Sequence, residues 1–156
     1  MIKIEKYKLF VNSKDFEKIY KIAKSEFANS SIDYIKSIER YLTICIEKQS
    51  ILLLYSDQNI IGFYIINIDN KKVKLSFAYI DPKYRGKGYN HILLEAAINN
   101  FKSQIDSFTT FIHFKNIASL KSLYKLIDKF NLNYIKDELI DEKGQKFYKF
   151  TLQGFK

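Results

Sequence analysis

Cysteine, methionine and proline occur once each in this 156-residue chain, glycine only five times and tryptophan not at all. A lone Cys45 cannot close an internal disulfide, and its place between Ile44 and Ile46 in a helical pattern reads as a buried, inert thiol suited to a reducing compartment. With one proline and no repeat or low-complexity tract, nothing reads as an interdomain linker. No apolar run reaches the roughly 18 to 20 residues that a membrane helix needs, and the opening Met1-Ile2-Lys3-Ile4-Glu5-Lys6 mixes charged with apolar side chains. The expectation is therefore neither signal peptide nor anchor, no membrane partner, and a cytoplasmic location.

What is present points to a folded globule. Hydrophobic residues make up 47% of the chain and aromatics 16%, too apolar for disorder, and the length suits one domain spanning residues 1–156. Lys and Arg number 26 against 17 Asp and Glu, a net charge of +9 that is compatible with nucleic acid, acidic surfaces or anionic ligands. The lysines are scattered along the chain, so they read as a solvated basic surface that also attracts a phosphate-rich ligand.

Periodicity supplies the element order. Ile2, Ile4 and Tyr7 alternate as in a strand over residues 2–8, and Asn12 or Ser13 offers a helix N-cap. Phe16, Ile19, Tyr20, Ala23 and Phe27 then recur at helical spacing, and Ile32, Ile35, Ile38, Leu42, Cys45 and Ile46 repeat that pattern. Apolar runs at 51–55, 60–68 and 73–80, separated by polar turns, predict a three-strand antiparallel meander. Pro82 ends the third run; Ile92, Leu93, Ala96 and Ala97 mark a helix, 109–114 a strand and 117–130 a helix. Residues 134–140 and 146–152 flank a turn at Glu142-Lys143-Gly144. The predicted order is β-α-α-β-β-β-α-β-α-β-β.

One stretch carries chemistry: Tyr79-Ile80-Asp81-Pro82-Lys83-Tyr84-Arg85-Gly86-Lys87-Gly88-Tyr89-Asn90, between a strand and a helix. Glycines at 86 and 88 let the backbone turn its N–H groups toward a ligand, and the following helix points its positive dipole end there. Such a nest suits a pyrophosphate, with Arg85 and Lys87 adding charge beside it. The spacing excludes a P-loop, which needs four residues between its glycines and a following Lys-Ser or Lys-Thr. It also excludes the three-glycine dinucleotide fingerprint.

Arg85-Gly86-Lys87-Gly88-Tyr89-Asn90 resembles the central Gln/Arg-x-x-Gly-x-Gly/Ala motif of the GNAT superfamily of acyl-CoA N-acyltransferases in its first four positions. The element order resembles that fold along the whole chain. The resemblance implies a mixed α+β domain with a mostly antiparallel, twisted central sheet of about seven strands flanked by four helices. It implies acetyl-CoA as co-substrate, with no metal. The N–H groups of Gly86, Lys87, Gly88, Tyr89 and Asn90 would hold the CoA pyrophosphate, and the main chain at Tyr79 and Ile80 would pair with the pantetheine arm. Asn90 departs from the family's small final residue, so an adjusted loop is expected, since Asn tolerates left-handed backbone and caps helices. Asn116-Ile117-Ala118-Ser119 resembles the family's Asn-x-x-Ala/Ser, which would turn Asn116 toward the pantetheine; helix capping is the other reading.

The implied reaction is transfer of an acetyl group to a primary amine by direct attack in a ternary complex. An N–H near Ile80 would polarise the thioester carbonyl, and Tyr124 would act as the acid, one position past the family's usual tyrosine, where this chain has Leu123. Leu120, Leu123, Tyr124 and Ile127 also read as an apolar helical stripe. No glutamate stands on the strand at 75–80, so the base is unassigned; Ser76, Tyr79 or a water could relay a proton, and His113 and His91 read first as structural. Two rival readings are a CoA-binding module without turnover and, further off, a basic nucleic-acid-binding domain, for which no recognition motif is present. The acceptor amine, on a small molecule or a protein, and the oligomeric state, a homodimer included, are left open by the sequence.

Overall fold

A computed structural model describes residues 2–6, 13–26 and 51–156. In chain order the elements are β1 (Ile2–Lys6), α1 (Ser13–Glu26), β2 (Ile51–Ser56), β3 (Asn59–Asp69) and β4 (Lys72–Ile80). A single 3-10 turn (Pro82–Tyr84) precedes α2 (Tyr89–Phe101), β5 (Ser107–His113), α3 (Ile117–Lys129), β6 (Asn133–Ile140) and β7 (Lys146–Gln153). The predicted second helix, over residues 32–46, lies outside the described residues, as does Cys45. Otherwise the predicted order and the mixed α+β class hold, with boundaries moved by about two residues.

Among the described residues seven strands form one sheet in the order β1-β2-β3-β4-β5-β7-β6. Every neighbouring pair is antiparallel except β4 and β5, which run parallel. Local chemistry fixes the meander. Asn70 and Lys71 both have positive φ, 46° and 62°, the backbone of a tight hairpin whose twist matches the strands it joins. At the last hairpin Gly144 takes φ 77°, and the Asp141 carboxylate accepts the N–H groups of Lys143 and Gln145 at 2.9 and 2.8 Å.

Strand alternation divides the interior in two. Leu52, Leu54, Tyr64 and Ile66 face the α2 and α3 side, packing with Leu93, Ile98, Leu123 and Leu126. Ile51, Leu53, Phe63 and Ile65 face the other way, against Ile19 and Ala23, which stand one turn apart on α1. β3 is therefore buried on both faces, as its near-continuous apolar run requires. No helix among the described residues is long and apolar enough to cross a membrane.

Candidate active site

The parallel β4–β5 pair is the feature that opens a site. Its ladder holds only from Lys72↔Ser107 to Lys74↔Thr109, and beyond it the two strands diverge. On the opposite edge β4 stays paired with β3 as far as Gly62↔Ile80. The Asp81 N–H donates to the Ile61 carbonyl at 2.8 Å, so antiparallel alternation turns the Ile80 N–H and C=O to the edge facing β5. Among the described residues that edge of β4 has no strand partner, which is what an extended ligand needs to pair with main chain.

The loop after β4 continues the opening. The Asp81 carboxylate caps the 3-10 turn by accepting the Lys83 N–H at 2.9 Å. Gly86 and Gly88 have φ of 76° and 83°, and Gly88 is the N-cap of α2, with no side-chain capping hydrogen bond among the described residues. A Cβ added at either glycine would meet no atom of the described residues within 4 Å, so the space beside this backbone is open. Left-handed backbone, open space and a helix start together fit a phosphate group.

These parts line one cleft of about 850 Å³ that runs between the β4 edge, the loop, the first turn of α2, the end of β5 and the cleft face of α3. Tyr79, Ile80, Arg85, Gly86, Gly88, Tyr89, Asn90 and Asn116 all line it. Lys121 and Lys125 join Arg85 in facing it, beside His91 and His113, and no Asp or Glu is among the described lining residues, so the three cations favour anions there.

Several side chains take roles other than those the motif implies. Arg85 donates from Nε to the Ile80 carbonyl at 2.8 Å and lies 6.0 Å from the Tyr79 ring centre, strapping the loop to the end of β4. Lys87 is not a lining residue; its ammonium sits over the Tyr84 ring at 5.6 Å. Asn116 caps α3, accepting the Ser119 N–H at 3.2 Å, while still lining the cleft.

Tyr124 does not line the cleft. Its ring packs edge-on against Tyr134 and Phe150, at 5.9 and 5.7 Å, and its hydroxyl is hydrogen-bonded to Lys136, which raises the lysine's pKa. The reason is helix phase. Ser122 and Lys125 face the cleft, Leu123 and Leu126 the core, and Tyr124 points about 160° away from Ser122 toward the β6–β7 hairpin.

Three features went unnoticed in the sequence. The hydroxyl of Tyr64, a fully buried residue of β3, donates to Asn90 at the start of α2, with the main-chain carbonyl at 2.9 Å and Oδ1 at 2.5 Å. Burial pushes the phenol above the usual tyrosine range, so it stays a neutral donor. The side chain of Asn90, at the position where small residues are usual, thus has a partner on the protein side. Gly62, also on β3, has no room for a side chain: a Cβ would meet Ile80 Cδ1 at 2.7 Å and the Tyr79 carbonyl at 2.8 Å. A glycine inside an otherwise apolar strand run was the available signal. Third, His91 Nδ1 lies 2.7 Å from Ser122 Oγ, and Glu95 binds Lys129 and stands 3.8 Å from His91 Nε2, so α2 and α3 are tied beside the loop.

The model of the acetyltransferase (GNAT) family matches residues 16–126. The chain belongs to that family and is an acyltransferase. No curated protein matches it. Among solved structures, the chain is similar to diaminobutyrate acetyltransferase EctA from Paenibacillus lautus in complex with L-2,4-diaminobutyric acid and coenzyme A, with 10% identity, TM-score 0.75, and 100% of this chain and 96% of that one covered. A chain of the NatC complex bound to Gag peptide and CoA gives 15% identity and TM-score 0.74, with 98% of each chain covered. PaiA N-acetyltransferase from Thermoplasma acidophilum, in complex with coenzyme A, gives 20% and 0.64, covering 96% and 98%. Identities this low establish a shared fold.

Proposed function

We propose that this acyltransferase uses acetyl-CoA to acetylate a primary amine by direct attack in a ternary complex. The observation that carries the reading is the β4 edge at Ile80, free of a strand partner among the described residues, meeting a glycine-lined helix start in one cation-rich cleft. Acetyl-CoA supplies the acetyl group as an activated thioester; as the C–N bond forms the C–S bond breaks, and the sulfur leaves as a thiolate that takes up the proton the amine loses. Solved relatives carry coenzyme A together with an amino-acid substrate in one case and a peptide in another, which supports an amine acceptor.

The roles follow from placement. Main-chain N–H groups from Gly86 to Asn90 bind the pyrophosphate, aided by the α2 dipole. The Ala78–Ile80 edge holds the pantetheine as an added strand, and the Ile80 N–H polarises the thioester carbonyl. Arg85 positions this edge through the Ile80 carbonyl. Amine attack also needs a proton removed, and we assign that to His113, directly or through a water. His113, at the end of β5, lines the same cleft as Ala78 and Ile80 of β4. Its Nδ1 accepts a long 3.2 Å hydrogen bond from the Lys115 N–H, which leaves the ring proton on Nε2; taking up the amine's proton at Nδ1 requires that this bond be given up.

Calorimetry with CoA and a thiol-release assay with acetyl-CoA across a panel of amines test the reading. Heat on CoA binding and amine-dependent thiol release are expected. No binding at millimolar CoA, or binding without turnover on any amine offered, would replace the enzyme with a module that only holds the cofactor or with no cofactor at all.

A further inference from the structure

Beyond the cleft, the C-terminal edge of the sheet is the most unusual surface. β6 pairs with β7 along its full length, from Asn133↔Gln153 to Ile140↔Lys146, with no shift of register. No strand lies on its other side among the described residues. All eight of its residues are exposed. Four are large and apolar, Tyr134, Ile135, Leu139 and Ile140, the last 74% exposed. An edge that long, regular and apolar pairs readily unless something prevents it, and here only the central Lys136-Asp137-Glu138 stands in the way.

We propose that β6 pairs antiparallel with β6 of a second copy of this chain, about a twofold axis at Asp137. A twofold axis perpendicular to the sheet keeps each face continuous, so opposed residues must share parity along the strand. Centring on Asp137 then sets Lys136 opposite Glu138, Ile135 opposite Leu139 and Tyr134 opposite Ile140, each pair occurring twice. Charge meets opposite charge, and apolar meets apolar on both faces. Asp137 meets its own copy, but Lys149 is its cross-strand neighbour on β7, so the row across the axis alternates as Lys149, Asp137, Asp137, Lys149. The neighbouring allowed registers fail. Centring on Lys136 opposes Ile135 to Asp137 and Tyr134 to Glu138, and centring on Glu138 opposes Asp137 to Leu139 and Lys136 to Ile140. The three central charges therefore select one register and one partner, while the apolar flanks supply the attraction.

Sedimentation of the full chain at rising concentration is expected to show a species of twice the 18.5 kDa chain mass. Lys136→Glu opposes two Glu138 carboxylates, and Glu138→Lys opposes two Lys136 ammonium groups. Each is expected to weaken the dimer about tenfold or more, since two like-charge pairs replace two opposite ones. The double variant, which swaps the charges back into complement, is expected to restore it. Asp137→Cys should cross-link as a symmetric disulfide dimer on mild oxidation, whereas the parent chain, which has only Cys45, should not. All three positions are exposed, and circular dichroism verifies the fold. A chain that stays monomeric throughout overturns the proposal. So does a dimer that neither single charge change weakens, or a double variant no stronger than the singles.

Discussion

Tyr64→Phe removes one buried hydroxyl while leaving the ring that packs in the core, so it isolates the strut between β3 and the first turn of α2. A phenol has one proton and two acceptors on Asn90 within reach, the carbonyl at 2.9 Å and the side chain at 2.5 Å. Losing the donor removes one net hydrogen bond and leaves polar atoms of the half-buried Asn90 short of a partner, a cost of about 1–3 kcal/mol. For a chain of this size that corresponds to a melting point lower by roughly 2–4 °C per kcal/mol. Asn90→Ala behaves differently. The hydroxyl keeps the main-chain carbonyl, so the loss should be at most about 1 kcal/mol. In Tyr64→Phe/Asn90→Ala no side-chain amide is left to satisfy, and the double variant should be less destabilised than the two singles sum to, with a coupling of about 0.5 kcal/mol or more. Coenzyme A binding should follow the same ranking, since the N–H groups of this turn hold its phosphates in the proposed complex. Thermal melts and calorimetry on all four proteins close the cycle. If Tyr64→Phe changes neither melting point nor CoA affinity, the hydroxyl is not a strut.

Gly88→Val should abolish measurable CoA binding while the chain still folds, because no atom of the described residues lies within 4 Å of the added Cβ although φ 83° is unfavourable for a β-branched residue. Gly62→Ala should act the other way round, lowering the melting point first, as its Cβ collides with Ile80 and Tyr79; intact stability there would contradict the contact. Tyr124→Phe should leave kcat within about twofold, whereas His113→Gln should lower it by roughly 10²- to 10⁴-fold with little change in the KM for acetyl-CoA; the reverse ranking would reinstate Tyr124 as the acid. Stability should fall as pH rises above about 10, because the unfolded Tyr64 phenol ionises there and the folded one, its pKa raised by burial, does not. A melting point that holds level from pH 9 to 11 in the parent chain, and equally in Tyr64→Phe, would refute that link.

Local chemistry was legible in the sequence and long-range direction was not. The glycines of the 85–90 loop could be read because their positive φ and their place before a helix depend on neighbours in the chain. Seven strands and their turns were readable for the same reason: Asn70-Lys71 and Gly144 fix their hairpins within a few residues. Arg85 reads as a charge beside the phosphates; what the sequence hides is the carbonyl at the end of β4, 2.8 Å from its Nε, while the residue still lines the cleft. Tyr124 reads as a cleft residue until the phase of α3, set by its Asn116 cap and the burial of Leu123 and Leu126, carries it to the aromatic cluster around Phe150. Both outcomes depend on where distant strands come to rest.

β3 shows how such distant residues build a site without lying on the loop that the motif marks. Gly62 lets β3 approach the end of β4 so closely that the Tyr79 carbonyl would stand 2.8 Å from a Cβ, which fixes where the open edge at Ile80 lies. Two residues on, Tyr64 projects from the same face of the strand into the α2-side core to hold Asn90. One rigid, doubly buried strand therefore sets both walls of the cleft, the edge proposed to hold the pantetheine and the helix start proposed to hold the phosphates. The distance between them is fixed by packing before any ligand arrives, and pre-set geometry of this kind is what limits the ordering cost of binding. The larger Asn90 is accommodated at this position because its side-chain oxygen, like its main-chain carbonyl, lies within reach of the buried Tyr64 phenol.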